Sequence, residues 1–188
     1  MATRPQREYS LSDYHRIEEA SVIRREFCAG EIFAMTGGSV SHNHVCANVL
    51  ARLRTALADG PCSAFGSDMR LQTPAGLLTY PDAMVICGRI QLVPGRADEV
   101  TNPVLLVEVL SQATRRYERS EKFDFYRAIP SLREYVLIEP EVAAVEVRRR
   151  TVDSNWTTQG YSTMDDIVPI ECLPLELPMT EIYRKVAL

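Results

Sequence analysis

Three ionisable residues occupy positions where a charge is costly. Asp82 lies inside the short apolar stretch YPDAMVIC (80–87), Glu108 is the single ionisable residue of VLLVEVL (104–110), and Lys122 is one of two lysines among 21 basic residues, the other being Lys185. Both acid-bearing stretches read as strands from their β-branched and apolar content. A buried carboxylate without a partner costs several kcal/mol, so each acid needs a cation, a proton or a route to solvent. A hard divalent ion such as Mg²⁺, with Mn²⁺ as its substitute, could serve both, because it favours oxygen ligands and often takes only one or two carboxylates plus water. Alternatively, each acid emerges at a strand end and pairs separately with an arginine, the default cation of this chain. Residue types leave both readings open.

Lys122 has two readings as well. On a helix that folds back onto the Glu108 strand, its amine could orient or deprotonate a water nucleophile, or offset charge on a phosphate. Glu118 also precedes it by four residues, the spacing of an ordinary surface ion pair worth a few tenths of a kcal/mol. His42 starts the apolar stripe of another predicted helix and could be a core histidine, a solvent-facing helix-start residue or a site residue. Glu31 stands just after a predicted turn, where a charge is ordinary but could also line a site.

The elements that would position these residues follow from periodicity and punctuation. SLSDYHRIEEA carries a Ser10–Asp13 capping pattern and reads as a short helix. SVIRREFCAGEIFAMTGG reads as a hairpin about Ala29 and Gly30. Val45, Cys46, Val49, Leu50, Leu53 and Leu57 recur at helical spacing, predicting a helix from Ser39 or Ser41 to about Asp59. Extended stretches follow at 63–73 and 78–87, then a looped segment at 88–103 and a central strand at 104–110. RRYERSEKFDFYRAI predicts one long helix ended by Pro130. After it come EYVLIEP, AVEVRRR, a strand around Trp156 and a last helical turn in TEIYRKV. This order predicts an α/β (α+β) fold: one sheet flanked by helices, with residues 1–10 a flexible N-terminus and 11–188 a single domain.

The chain's 188 residues, 46% of them hydrophobic, support one full core. No apolar run approaches the roughly 20 residues that span a bilayer, and MATRPQREYS has no signal-peptide character, so a soluble, cytoplasmic protein is expected. A net charge of −4 gives no global basic field. Attraction to nucleic acid would have to come from local clusters such as RRYER (115–119) and RRR (148–150), which otherwise read as solvated faces. Five scattered cysteines without a CxxC spacing predict buried free thiols, with neither a disulfide framework nor a zinc knuckle.

The ordered set GEIFAMTGGSVSHNHVCANVLARL, YPDAMVIC, NPVLLVEVLSQAT and YERSEKFDFYRAIPSLREYVLIEP, with the late Trp156, resembles the "putative restriction endonuclease" domain family, a bacterial and especially cyanobacterial branch of the PD-(D/E)XK nuclease superfamily. The resemblance runs from about Leu11 to Val186. It implies a restriction-endonuclease-like central mixed sheet flanked by helices and a Mg²⁺-dependent endonuclease acting on DNA. Asp82 is then the aspartate of the PD motif and Glu108 the acid of the following strand, together the metal ligands. Two residues after Glu108, where the superfamily pattern has lysine, this chain has Leu110; Lys122 on the next helix matches the family's lysine instead. The family often has aspartate at Glu118. Glu31 and His42 match further family positions. Cleavage of both strands of a duplex implies a homodimer, and a nuclease fold kept as a nucleic-acid- or protein-binding module is the alternative.

Overall fold

Ser10 opens the first helix by a reciprocal cap: its hydroxyl accepts from the Asp13 amide at 3.1 Å, and the Asp13 carboxylate accepts from the Ser10 amide at 3.1 Å. The computed structural model describes residues 8–35 and 37–188. Most of the expected flexible terminus, residues 1–7, lies outside the described residues, whereas the Tyr9 amide donates to the Gly30 carbonyl at 2.8 Å.

In chain order the elements are α1 (Leu11–Glu19), β1 (Arg25–Cys28), β2 (Glu31–Ala34), α2 (Val40–Ala56), β3 (Cys62–Gly66), β4 (Arg70–Gln72), β5 (Leu78–Thr79), β6 (Ala83–Cys87), β7 (Glu99–Val100), β8 (Leu105–Val109), α3 (Arg115–Arg119), α4 (Glu121–Arg127), β9 (Glu134–Glu139), β10 (Ala144–Arg150), β11 (Trp156–Tyr161), β12 (Ile167–Ile170), β13 (Leu175–Pro178) and α5 (Met179–Ile182). β1 and β2 form the expected hairpin, its turn made by Ala29 and Gly30 at φ 48° and 84°. The long helix expected over 115–129 is instead two short ones. Ser120 breaks it at φ −121° and ψ −87°, with its hydroxyl bonded to the Arg116 carbonyl at 2.7 Å.

Six strands build the central sheet in the order β11-β10-β9-β8-β6-β3; β8 and β9 run parallel and the other pairs antiparallel. A second sheet, β2-β1-β5-β4-β7, carries the hairpin at its edge, and β12 pairs with β13. The result is the α+β fold with a mixed central sheet that the sequence predicts, although the described strands divide among three sheets where the sequence reading expects one.

Strand alternation sorts side chains onto the two faces of the central sheet. Leu105, Val107 and Val109 of β8 join a core with Val45, Val49 and Leu53 of α2. Leu106 and Leu110 join the opposite core with Tyr126, Ile129 and Tyr135. Leu110, standing where the superfamily pattern has lysine, is fully buried there. Glu108 shares the parity of Leu106 and Leu110, so it points toward α4.

A further expectation fails. Cys62 and Cys87 form a disulfide, leaving Cys28, Cys46 and Cys172 as free thiols. The antiparallel register of β3 and β6 sets Cys62 directly opposite Cys87, a proximity that a separation of 25 residues does not display. No described helix is long and apolar enough to cross a membrane.

Candidate active site

The ladder between β6 and β8 pairs Val85 with Leu105, Met84 with Leu106 and Ala83 with Val107. Continued by one step, it sets Asp82 across from Glu108. Directly opposite residues of an antiparallel pair have Cα atoms about 4.5–5.5 Å apart, so the two acids arrive together although 26 positions separate them. β6 starts only at Ala83, which frees the Asp82 carboxylate from the strand pleat. Its Oδ2 accepts the Val109 amide at 2.8 Å and lies 3.5 Å from His42 Nε2.

Glu108 meets its partners on the α4 side. Its Oε1 accepts the Tyr126 hydroxyl at 2.6 Å and faces Lys122 Nζ at 2.9 Å. Lys122 and Tyr126 are four residues apart on α4, so one helical face delivers both to the same carboxylate oxygen. Lys122 Nζ also lies 3.1 Å from Glu26 Oε1, which in turn accepts the Thr79 hydroxyl. The amine is thus buried between two carboxylates, and the ordinary surface pair with Glu118 is not what forms.

Burial dominates the electrostatics. It lifts the Glu108 carboxyl above the ordinary range, with the Lys122 ammonium opposing it and the Asp82 charge adding to it. Burial alone would depress the Lys122 amine, but Glu108, Tyr126 and Glu26 outweigh it and hold the ammonium well above its usual value. Glu118 is likewise raised by burial, and its Oε2 is buried with no hydrogen-bond partner. The hydrogen bond to Asp82 raises His42 against the opposing effect of burial.

These groups line one cleft of about 640 Å³. Glu26, Glu31, Asp82, Glu108, Glu118 and Glu121 supply acids to its described wall, while Lys122 and His42 are its basic side chains. Such an excess of carboxylate oxygens, one of them buried and unpartnered, suits a hard divalent cation, so the donor set fits Mg²⁺ or Mn²⁺. The arginine clusters are engaged elsewhere: Arg115 with Glu139 at 2.7 Å, Arg119 with Glu139 and Glu146, and Arg149 with Glu134 at 2.7 Å.

Asp82, Glu108, Lys122 and His42, which the family resemblance brings together, line the same cleft. Glu31 lines the same cleft, but the hairpin carboxylate that reaches Lys122 is Glu26, which the sequence reading passed over, as it did Tyr126. Signals for both exist. Glu26 alternates with Cys28, and Cys28 lies opposite Glu31 across the hairpin, which places all three on one face; Tyr126 follows Lys122 by one helical turn.

Comparison with known proteins agrees with this architecture. The model of the family described as "Putative restriction endonuclease" (Uma2) matches residues 11–180. Synechocystis sp. protein sll1609 is 36% identical over 148 residues, covering 78% of this chain and 84% of its own length. A second Synechocystis protein, slr1290, is 28% identical over 179 residues, covering 95% and 93%. Among solved structures, the fold is similar to a crystal structure described as a "putative nuclease belonging to DUF820" from Anabaena variabilis, with a TM-score of 0.70 at 18% identity, over 85% of this chain and 89% of that one.

Proposed function

We infer, from the premise that this chain belongs to the Uma2 restriction-endonuclease family and from the chemistry of its cleft, that the protein is a Mg²⁺- or Mn²⁺-dependent endonuclease hydrolysing phosphodiester bonds of DNA. The observation that carries this reading is the Lys122 ammonium, buried between Glu108 and Glu26 beside the acid Asp82. A purely structural core has little use for so many ionisable groups at the wall of an open cleft.

In this reading Asp82 and Glu108 hold the cation, which when bound supplies Lewis acidity that acidifies water and offsets charge at the scissile phosphate. The remaining roles belong to the chain itself. Lys122, kept charged by its neighbours, acts by electrostatics: it orients the attacking water and the phosphate oxygens instead of removing a proton. Glu26 fixes the position of Lys122, and the Tyr126 hydroxyl fixes one oxygen of Glu108. His42 and the Val109 amide orient Asp82, and Glu31 lies on the cleft wall.

The test is nicking of supercoiled plasmid in Mg²⁺ or Mn²⁺ by the wild type, Asp82→Ala and Lys122→Ala. Loss of cleavage in both variants, with folding retained, supports the reading; metal-dependent nicking that survives both rules out this site. A binding module on the same fold is the second reading, favoured by the acidic lining and the engaged arginines. Calorimetric titration with Mn²⁺ separates the two, since a module has no need of the ion. Cleavage of both strands of a duplex requires two such clefts, so the active species on duplex DNA is proposed to be a homodimer.

A further inference from the structure

We propose that His42, Cys46 and Asp82 form a sulfur-containing site for Zn²⁺, and that zinc bound there withdraws Asp82 from the magnesium arrangement. His42 and Cys46 are four residues apart on α2, so both side chains leave the same face of one helix. Asp82 meets them from the start of β6. One ring nitrogen of His42, Cys46 Sγ and a carboxylate oxygen of Asp82 all lie within 4.8 Å of one another. The His42 Nε2 to Asp82 Oδ2 separation of 3.5 Å is close to the edge of a tetrahedron with zinc bonds of about 2.0–2.1 Å. Cys46 Sγ lies 3.5 Å from the other ring nitrogen, Nδ1, so an ion held through Nε2 requires the thiol to turn toward it.

The donor types decide which ion the cluster prefers. A thiolate, an imidazole and a carboxylate match Zn²⁺, which accepts mixed sulfur, nitrogen and oxygen ligands and leaves a fourth position for water. Mg²⁺ discriminates against sulfur and stays with the oxygens of Asp82 and Glu108. Binding replaces the Cys46 thiol proton, which leaves to solvent as the sulfur–metal bond forms. The ring is seated against a glycine: a Cβ on Gly38 would stand 2.4 Å from His42 Nδ1. Since Asp82 serves both arrangements, the two ions compete, and zinc becomes an inhibitor. Only the inhibition rests on the nuclease reading; binding does not.

Co²⁺ is the spectroscopic probe, because thiolate ligation gives a near-ultraviolet charge-transfer band that carboxylates do not. The wild type is expected to bind one Co²⁺ with this band, displaced by one Zn²⁺. Cys28→Ser, a change of the thiol that lines the cleft, should retain it. Cys46→Ser should lose the band and bind Zn²⁺ about 100-fold more weakly, and His42→Gln should lower the visible cobalt absorbance. A band unchanged in Cys46→Ser, or absent from the wild type, overturns the site. In plasmid nicking with Mn²⁺, micromolar Zn²⁺ should inhibit the wild type and spare Cys46→Ser; equal inhibition of both overturns the regulatory part. If no ion supports nicking, the nuclease reading fails while the cobalt spectrum still decides the zinc site.

Discussion

Lys122 and Glu108 form a buried ion pair, Nζ to Oε1 2.9 Å, with 3% of either side chain exposed. Such pairs are costly to break from one side, because the surviving charge is left without compensation. Lys122→Met is therefore expected to destabilise the protein by about 3–5 kcal/mol in urea unfolding at a pH above about 8, where Glu108 is ionised. Lys122→Met/Glu108→Leu should lose less than the sum of its two single changes. An additive double variant would show that the pair is not coupled.

Burial raises Glu108, so the folded protein holds that proton more tightly than the unfolded chain does. The stability it contributes is full below the ordinary value of 4.5 and is lost as pH rises through the higher folded value. Under the proposed function a divalent ion would bind the ionised carboxylate and restore what is lost. Thermal unfolding with and without Mn²⁺ should show a larger stabilisation at pH 8 than at pH 6, and buffers of different ionisation enthalpy should reveal proton release on binding.

Glu26 and Tyr126 hold Lys122 and Glu108 from behind, which in the proposed function positions them. Glu26→Gln is expected to lower nicking by about 10–100-fold without abolishing it, the usual range for partners of ligating groups. Tyr126→Phe removes a 2.6 Å hydrogen bond to a carboxylate, which should cost about 1.5–3 kcal/mol of stability. Both are checked by pairing plasmid assays with denaturant titration.

Gly38→Ala tests the seating of the His42 ring, since the new methyl would lie 2.4 Å from Nδ1. In the wild type His42 should titrate above 6.5 because it bonds Asp82. In the variant, NMR titration should show it falling back toward that value, with the fold retained.

The disulfide gives a prediction independent of the site. A cross-link spanning 25 residues stabilises by about 3 kcal/mol in the chain-entropy account. Reduction, or Cys62→Ala/Cys87→Ala, should lower the midpoint of unfolding while leaving Mn²⁺ affinity unchanged.

Much of this arrangement is legible in the sequence. Asp82 and Glu108 stood out because an ionisable residue in an apolar strand demands a reason, and Lys122 because lysine is scarce in this chain. Resemblance to a nuclease family then grouped residues that spacing alone left independent. Glu26 escaped because REFC looks like any half-buried hairpin strand; only the docking of that hairpin beside α4 gives its carboxylate a partner. The Cys62–Cys87 bond escaped for a related reason, since antiparallel register is a property of two strands together. The break at Ser120 was hidden by a run of residues that all favour helix; what divides it is a serine hydroxyl that bonds the Arg116 carbonyl, a competition that composition does not reveal.

The antiparallel step that sets Asp82 across from Glu108 makes the site sensitive to alignment. Were β6 to slide by one residue along β8, the carboxylate facing Glu108 would be exchanged for an alanine or a proline, and the proposed ion site would be halved. Capture of Mn²⁺ during refolding would therefore time the moment at which these two strands lock into their native alignment.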